Sequence, residues 1–137
     1  MRRLVAALLV SAALACGGDD SITVPTNASV AGTWTLQSVN GSPLPFVIVQ
    51  SGSNKSELTA DVLTVGSSGN FTQLTTIRNT LNGQVTTQST PDAGTYTLNG
   101  TAATFRFNSD GSTGTGAING NTLTVADVGL VMVYQRQ

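Results

Sequence analysis

From residue 30 onward the chain alternates apolar and polar side chains with a period of two. In residues 33–37, Trp34 and Leu36 share one face, while Thr33, Thr35 and Gln37 take the other. Tyr96 and Leu98 share a face in the same way. Ala103, Phe105 and Phe107 alternate with Thr104 and Arg106, and Leu123 and Val125 alternate with Thr122 and Thr124. This period belongs to a strand with one dry and one wet face. Residues 130–134 are apolar on both faces, so they predict a strand covered on both sides. Further strands are expected over 44–50, 57–65, 71–81 and 84–89, giving nine or ten short strands. No amphipathic helix is expected after the first sixteen residues. Pro43 and Pro45 start the apolar run 44–49 irregularly or at an edge, where it serves as a lid or as core.

Asn-Gly or Asp-Gly stands at 40–41, 82–83, 99–100, 110–111 and 119–120. Both residues of an Asn-Gly pair tolerate positive φ, so the pair suits a two-residue type I′ turn between antiparallel strands. Closely spaced turns imply sequential hairpins and an up-and-down order. A sheet of this many strands tends to curl and close, which removes its exposed edges. The expected fold is therefore all-β: an antiparallel up-and-down barrel of about 8–10 short strands, with a two-sheet β-sandwich as the alternative.

The first residues break this pattern. Arg2 and Arg3 precede an apolar run over 4–14, and Ala15 stands before Cys16, the single cysteine of the chain. Two cations, a short apolar run and a small residue make a secretory signal. The run is shorter than the roughly 20 residues that span a bilayer. Ala13-Leu14-Ala15-Cys16 resembles the lipobox of bacterial lipoproteins. That resemblance implies a signal peptide over 1–15, an acyl anchor on Cys16 and a place in the cell envelope. Gly17, where an Asp would retain such proteins at the inner membrane, points to the outer membrane. Residues 16–29 carry Gly17, Gly18, Asp19, Asp20 and Pro25 without apolar periodicity, so they read as a flexible tether that contributes nothing to the fold. The barrel domain is expected over 30–137.

Composition narrows the chemistry. Beyond residue 15, four Lys and Arg face seven Asp and Glu, which argues against a nucleic-acid partner. Twenty-one threonines supply much of the polar surface, and their branching at Cβ suits strands. The absence of histidine removes the commonest general base and metal ligand. With Cys16 at the lipidation position, thiolate zinc sites and Cys–His catalysis are excluded as well. Glu57 and Asp61 would share a face of a regular strand about 13 Å apart, too far for paired glycosidase carboxyls, so they read as a solvated face. The stretch 108–111 faintly matches the start of a calcium loop but is better explained as a turn. Gly111, Gly114 and Gly116 lack the strand–helix setting of a phosphate loop. They read as points of tight curvature or close backbone approach in a strand. No catalytic residue, metal ligand or cofactor is predicted.

Gly32-Thr33-Trp34 opens the domain and Arg136 ends the last strand. The pair resembles the lipocalin and calycin signature, in which an Arg from the last strand meets the Trp of the first. The two chain ends are also similar to small bacterial lipocalin-like lipoproteins. The resemblance implies a barrel closed at one end by Gly32, Trp34 and Arg136, with Arg136 stacked on Trp34.

Two functions follow as expectations. The first is a noncatalytic, membrane-anchored module that binds a small apolar ligand, with Phe46, Ile48, Phe71, Ile77, Phe105 and Phe107 as lining residues. The alternative is a filled barrel acting as an interaction or inhibitor module for an envelope protein. For that role the loops around 52–55 and 66–70, or an apolar patch at 43–49, would be the contact points.

Overall fold

The computed structural model describes residues 29–137; the expected signal peptide, Cys16 and the tether through residue 28 lie outside the described residues. Ten strands follow one another: β1 (Gly32–Val39), β2 (Ser42–Pro43), β3 (Phe46–Ser51), β4 (Asn54–Val65), β5 (Asn70–Leu81), β6 (Gln84–Asn99), β7 (Ala102–Phe107), β8 (Thr113–Asn119), β9 (Thr122–Asp127) and β10 (Leu130–Arg136). Every pairing is antiparallel, and consecutive strands from β3 to β10 are neighbours. Strand β1 pairs with β10 on one side and with β4 on the other. Eight strands thus close into an up-and-down barrel, and the sandwich alternative is set aside. Strands β2 and β3 are a detour between β1 and β4. Strand β3 continues along the same edge of β4 that β1 occupies further on, from Phe46↔Leu58 to Ser51↔Asn54.

The turns follow the glycines, with one shift in register. Asn40–Gly41 and Asn82–Gly83 both have positive φ at both residues, as type I′ requires. At the next two hairpins the pairing is Asn99↔Ala102 and Asn119↔Thr122, so glycine takes the first turn position and Asn ends the strand. A further turn was not legible as Asn-Gly. Val128–Gly129 joins β9 to β10 with φ of 42° and 80°.

The segments 84–89 and 95–98 merge into one sixteen-residue strand, β6. Only its second half pairs with β7, from Gly94↔Phe107 to Asn99↔Ala102. Strands β3 to β6 therefore run past the barrel rim as a projecting arm, with Leu81 and Val85 exposed near its tip. The expectation that β10 is covered on both faces is corrected. Met132 and Tyr134 face inward, whereas Val131 is 43% exposed because no layer packs outside the barrel.

The core fills one end. Trp34, Leu36, Leu63, Val65, Phe71, Ala103, Phe105, Leu123, Val125 and Tyr134 are buried together. Phe71 meets Phe105 and Phe107 edge-on at 5.3 and 5.2 Å, a geometry that adds about 0.5–1.5 kcal/mol per pair. Glycines leave room for these rings. A Cβ on Gly94 would lie 2.7 Å from the Phe71 ring, and one on Gly116 would lie 3.0 Å from Phe105. Gly116 and Gly114 in β8 thus allow the close approach their spacing predicts.

The filled end is sealed by the two chain termini of the domain. The Arg136 guanidinium lies 4.3 Å from the Trp34 ring centroid. It donates to the carbonyls of Ala31 and Ser29. The Trp34 indole N–H donates to the Val30 carbonyl at 2.8 Å. Gly32, at φ 138°, leaves 3.3 Å between its missing Cβ and an Arg136 nitrogen. Ser29, assigned to the tether from sequence, takes part in this seal through its carbonyl.

Candidate functional site

Opposite the seal, the barrel is hollow. An apolar cavity of about 310 Å³ lies under the arm, lined by Val39, Phe46, Ile48, Leu58, Thr75, Ile77, Leu130 and Met132. A second hollow of about 280 Å³ shares Leu58, Thr75, Leu130 and Met132 with it, and adds Asp61, Gln73, Asp92, Phe107, Asp110 and Asp127 among others. The two adjoin at these shared residues and together form the mouth: an apolar wall from β1, β3, β4, β5 and β10, and an acidic wall from the middle of β6, the end of β9 and the β7–β8 loop.

The expected lining residues divide between mouth and core. Phe46, Ile48 and Ile77 lie on the apolar wall, and Phe107 lies on the acidic side. Phe71 and Phe105 are buried in the sealed half, where their rings pack on each other. Ile48 reaches the cavity through irregular pairing. The register of β3 on β4 shifts between Val47 and Val49, so Ile48 sits at a bulge.

At the floor of the mouth stands Asp61. Its side chain accepts hydrogen bonds from Thr75 Oγ1 at 2.6 Å, Gln73 Nε2 at 2.9 Å and the Tyr134 hydroxyl at 3.1 Å. All three donors are neutral. Burial pushes the Asp61 carboxyl above the usual carboxylate range, and the three hydrogen bonds oppose that shift. The Tyr134 hydroxyl is pushed up by its own burial and by the adjacent Asp61 charge.

The reading of Glu57 and Asp61 as one solvated face is corrected. They are 4% and 2% exposed. The register of β4 on β5 shifts between Leu58 and Ala60, which turns the two acids to opposite faces. Asp61 points inward. Glu57 points outward opposite Arg78, where it pairs with Lys55 Nζ and Arg78 Nη2, each at 2.8 Å. Its cover consists of these cations rather than the barrel interior. Their hydrogen bonds, Lys55 first and then Arg78, hold its carboxyl below the usual range.

The remaining acids sit at the rim. Asp92 accepts from the Ser109 hydroxyl at 2.6 Å and from the Ala93 N–H at 2.7 Å. Asp110 accepts from the Ser112 N–H at 2.8 Å, which holds its carboxyl low and gives 108–111 the character of a turn. Among the described residues no group of three acids, histidines or cysteines is placed to hold a metal ion. The mouth presents an apolar wall, hydroxyl and amide groups, and a rim whose charged groups are all acidic.

The fold and the site define a closed eight-stranded β-barrel that is packed at one end and open at the other. No protein-family model matches the chain, and a search of curated proteins gave no significant match.

Proposed function

We propose that this protein is a noncatalytic, lipocalin-like binding lipoprotein of the bacterial cell envelope, anchored through acylated Cys16 and taking a small apolar ligand into the barrel mouth. The observation that carries the ligand part is the cavity of about 310 Å³ walled by Val39, Phe46, Ile48, Leu58, Ile77, Leu130 and Met132. Pockets for small molecules start near this size and are mostly apolar with a few polar groups that orient the guest. The reading as a lipoprotein rests on the lipobox-like residues 13–16. Stable membrane residence requires two acyl chains or an equivalent second signal.

Two experiments test the two halves. The neutral apolar dye N-phenyl-1-naphthylamine should brighten on binding, and Met132→Trp, which fills the cavity, should reduce that response at least tenfold. Equal binding by wild type and variant would place the dye elsewhere. Cys16→Ala should move the protein from the membrane to the soluble fraction on cell fractionation; unchanged retention would remove the anchor.

A second reading, an interaction module of the envelope, is favoured by the exposed Val49, Leu81 and Val85 on the projecting arm. Under that reading, Leu81→Lys with Val85→Lys would abolish association with an envelope partner, whereas Met132→Trp would not.

A further inference from the structure

The barrel mouth segregates charge. The described residues contain five side-chain carboxylates, and four of them, Asp61, Asp92, Asp110 and Asp127, line the acidic hollow. None of the four described cations does. Lys55 and Arg78 are held on the outer face by Glu57, Arg136 is stacked on Trp34 at the sealed end, and Arg106 is exposed on β7 between the inward Phe105 and Phe107. Asp61 is buried with three neutral donors and no counter-ion. Asp127 pairs with Leu130 through its backbone, and its carboxylate is in neither ion pair of the described residues.

The acidic hollow does not stand alone. It adjoins the apolar cavity, and Leu58, Thr75, Leu130 and Met132 are walls of both. A guest that fills one half meets the other. Charge of one sign around the opening favours a cation over an anion there. The carboxylates are too spread to ligate a metal ion. A bulky organic cation fits better, because its charge is diffuse, its hydration is weak, and its apolar part can occupy the adjoining cavity.

We propose that the mouth takes an organic cation with an apolar body, an amine or quaternary ammonium whose charged end lies among Asp61, Asp92, Asp110 and Asp127 and whose alkyl or aryl part lies against Phe46, Leu58, Ile77 and Met132. This rests on the apolar-ligand reading and adds the sign of the ligand's polar end.

Calorimetric titration of the full chain with three matched ten-carbon probes, each below its aggregation concentration, tests it. Decyltrimethylammonium should bind about tenfold more tightly than decanoate, with 1-decanol between them. Raising sodium chloride to 0.5 M should narrow that spread by screening the rim. Asp110→Asn combined with Asp127→Asn, both at the rim rather than in the core, should lower the ammonium affinity at least threefold more than the decanol affinity. Binding of decanol and N-phenyl-1-naphthylamine with no preference for the ammonium over decanoate would overturn the cation assignment alone. An ammonium preference unchanged in the double variant would also overturn it, since the charge would then be read elsewhere. Absence of binding by every probe would overturn both this assignment and the apolar-ligand reading.

Discussion

The Arg136 guanidinium stacks on the Trp34 ring at 4.3 Å and also donates to the carbonyls of Ala31 and Ser29. One side chain of the last strand thereby holds the first strand and the residues leading into it. Arg136→Ala should destabilise the domain by about 1–2 kcal/mol through lost stacking and unpaired carbonyls. Arg136→Lys should recover only part of this, because an ammonium neither stacks as a plane nor spans two carbonyls. Urea unfolding of the three proteins checks the order. A lysine variant as stable as wild type would reduce the seal to simple charge.

The buried Asp61 makes a signed prediction about pH. Its folded pKa is raised by burial, so its contribution to stability is complete below the unfolded value of about 3.9 and declines as pH rises through the folded value. Glu57 acts in the opposite sense: its pKa is depressed by Lys55 and Arg78, so its contribution is present above the ordinary carboxylate range and lost as pH falls. The two partly cancel in the wild type. The comparison with Asp61→Asn isolates the first. The stability of wild type relative to Asp61→Asn should fall between pH 4 and pH 7, as read by urea midpoints. A constant difference across that range would show that Asp61 titrates as it does in the unfolded chain.

Glycine at 94 is required by contact rather than by backbone angle. A Cβ there would lie 2.0 Å from the Arg106 carbonyl oxygen and 2.7 Å from Phe71, so strand β7 would have to move. Gly94→Ala should cost more than the usual 1–3 kcal/mol of an overpacked site, or prevent folding. Gly116→Ala meets only side chains, Phe105 and Leu123 at 3.0 and 3.1 Å, and should cost about 1–3 kcal/mol. Thermal unfolding of both variants tests the ranking; equal costs would contradict the backbone argument.

Val128 has φ of 42° and is 90% exposed. A β-branched residue in the left-handed region is strained, at about 1–2 kcal/mol relative to a permissive one, and this one has no burial to offset it. Val128→Asn should therefore raise stability by about 1 kcal/mol by forming an Asn-Gly turn with Gly129. Chemical denaturation reads the gain directly. A loss of stability would show that Val128 has a packing role that its exposure conceals.

Much of the architecture was legible in local pattern. The period of two at Trp34–Leu36, Phe105–Phe107 and Leu123–Val125, together with glycine-bearing turns, determines strands, their antiparallel order and the inward set of each, because side chains alternate strictly along a strand. The approach of Arg136 to Trp34 was likewise implied by motif residues at the two ends of the domain. Three things were decided only by tertiary structure. Where the core stops was one: Phe71 and Phe105 have the same pattern as Ile77, yet ring packing fills one end while β3 to β6 overrun the rim and leave the other hollow. The face of Glu57 was another, since one bulge between Leu58 and Ala60 reverses parity, and no local propensity announces it. The third was the acidic mouth. Asp61 shares inward parity with Leu63 and Val65, a signal that an acid on a dry face could have provided. Asp92, Asp110 and Asp127 are distant in sequence, and only closure of the barrel brings them around one opening, because convergence of side chains depends on which strand ends meet.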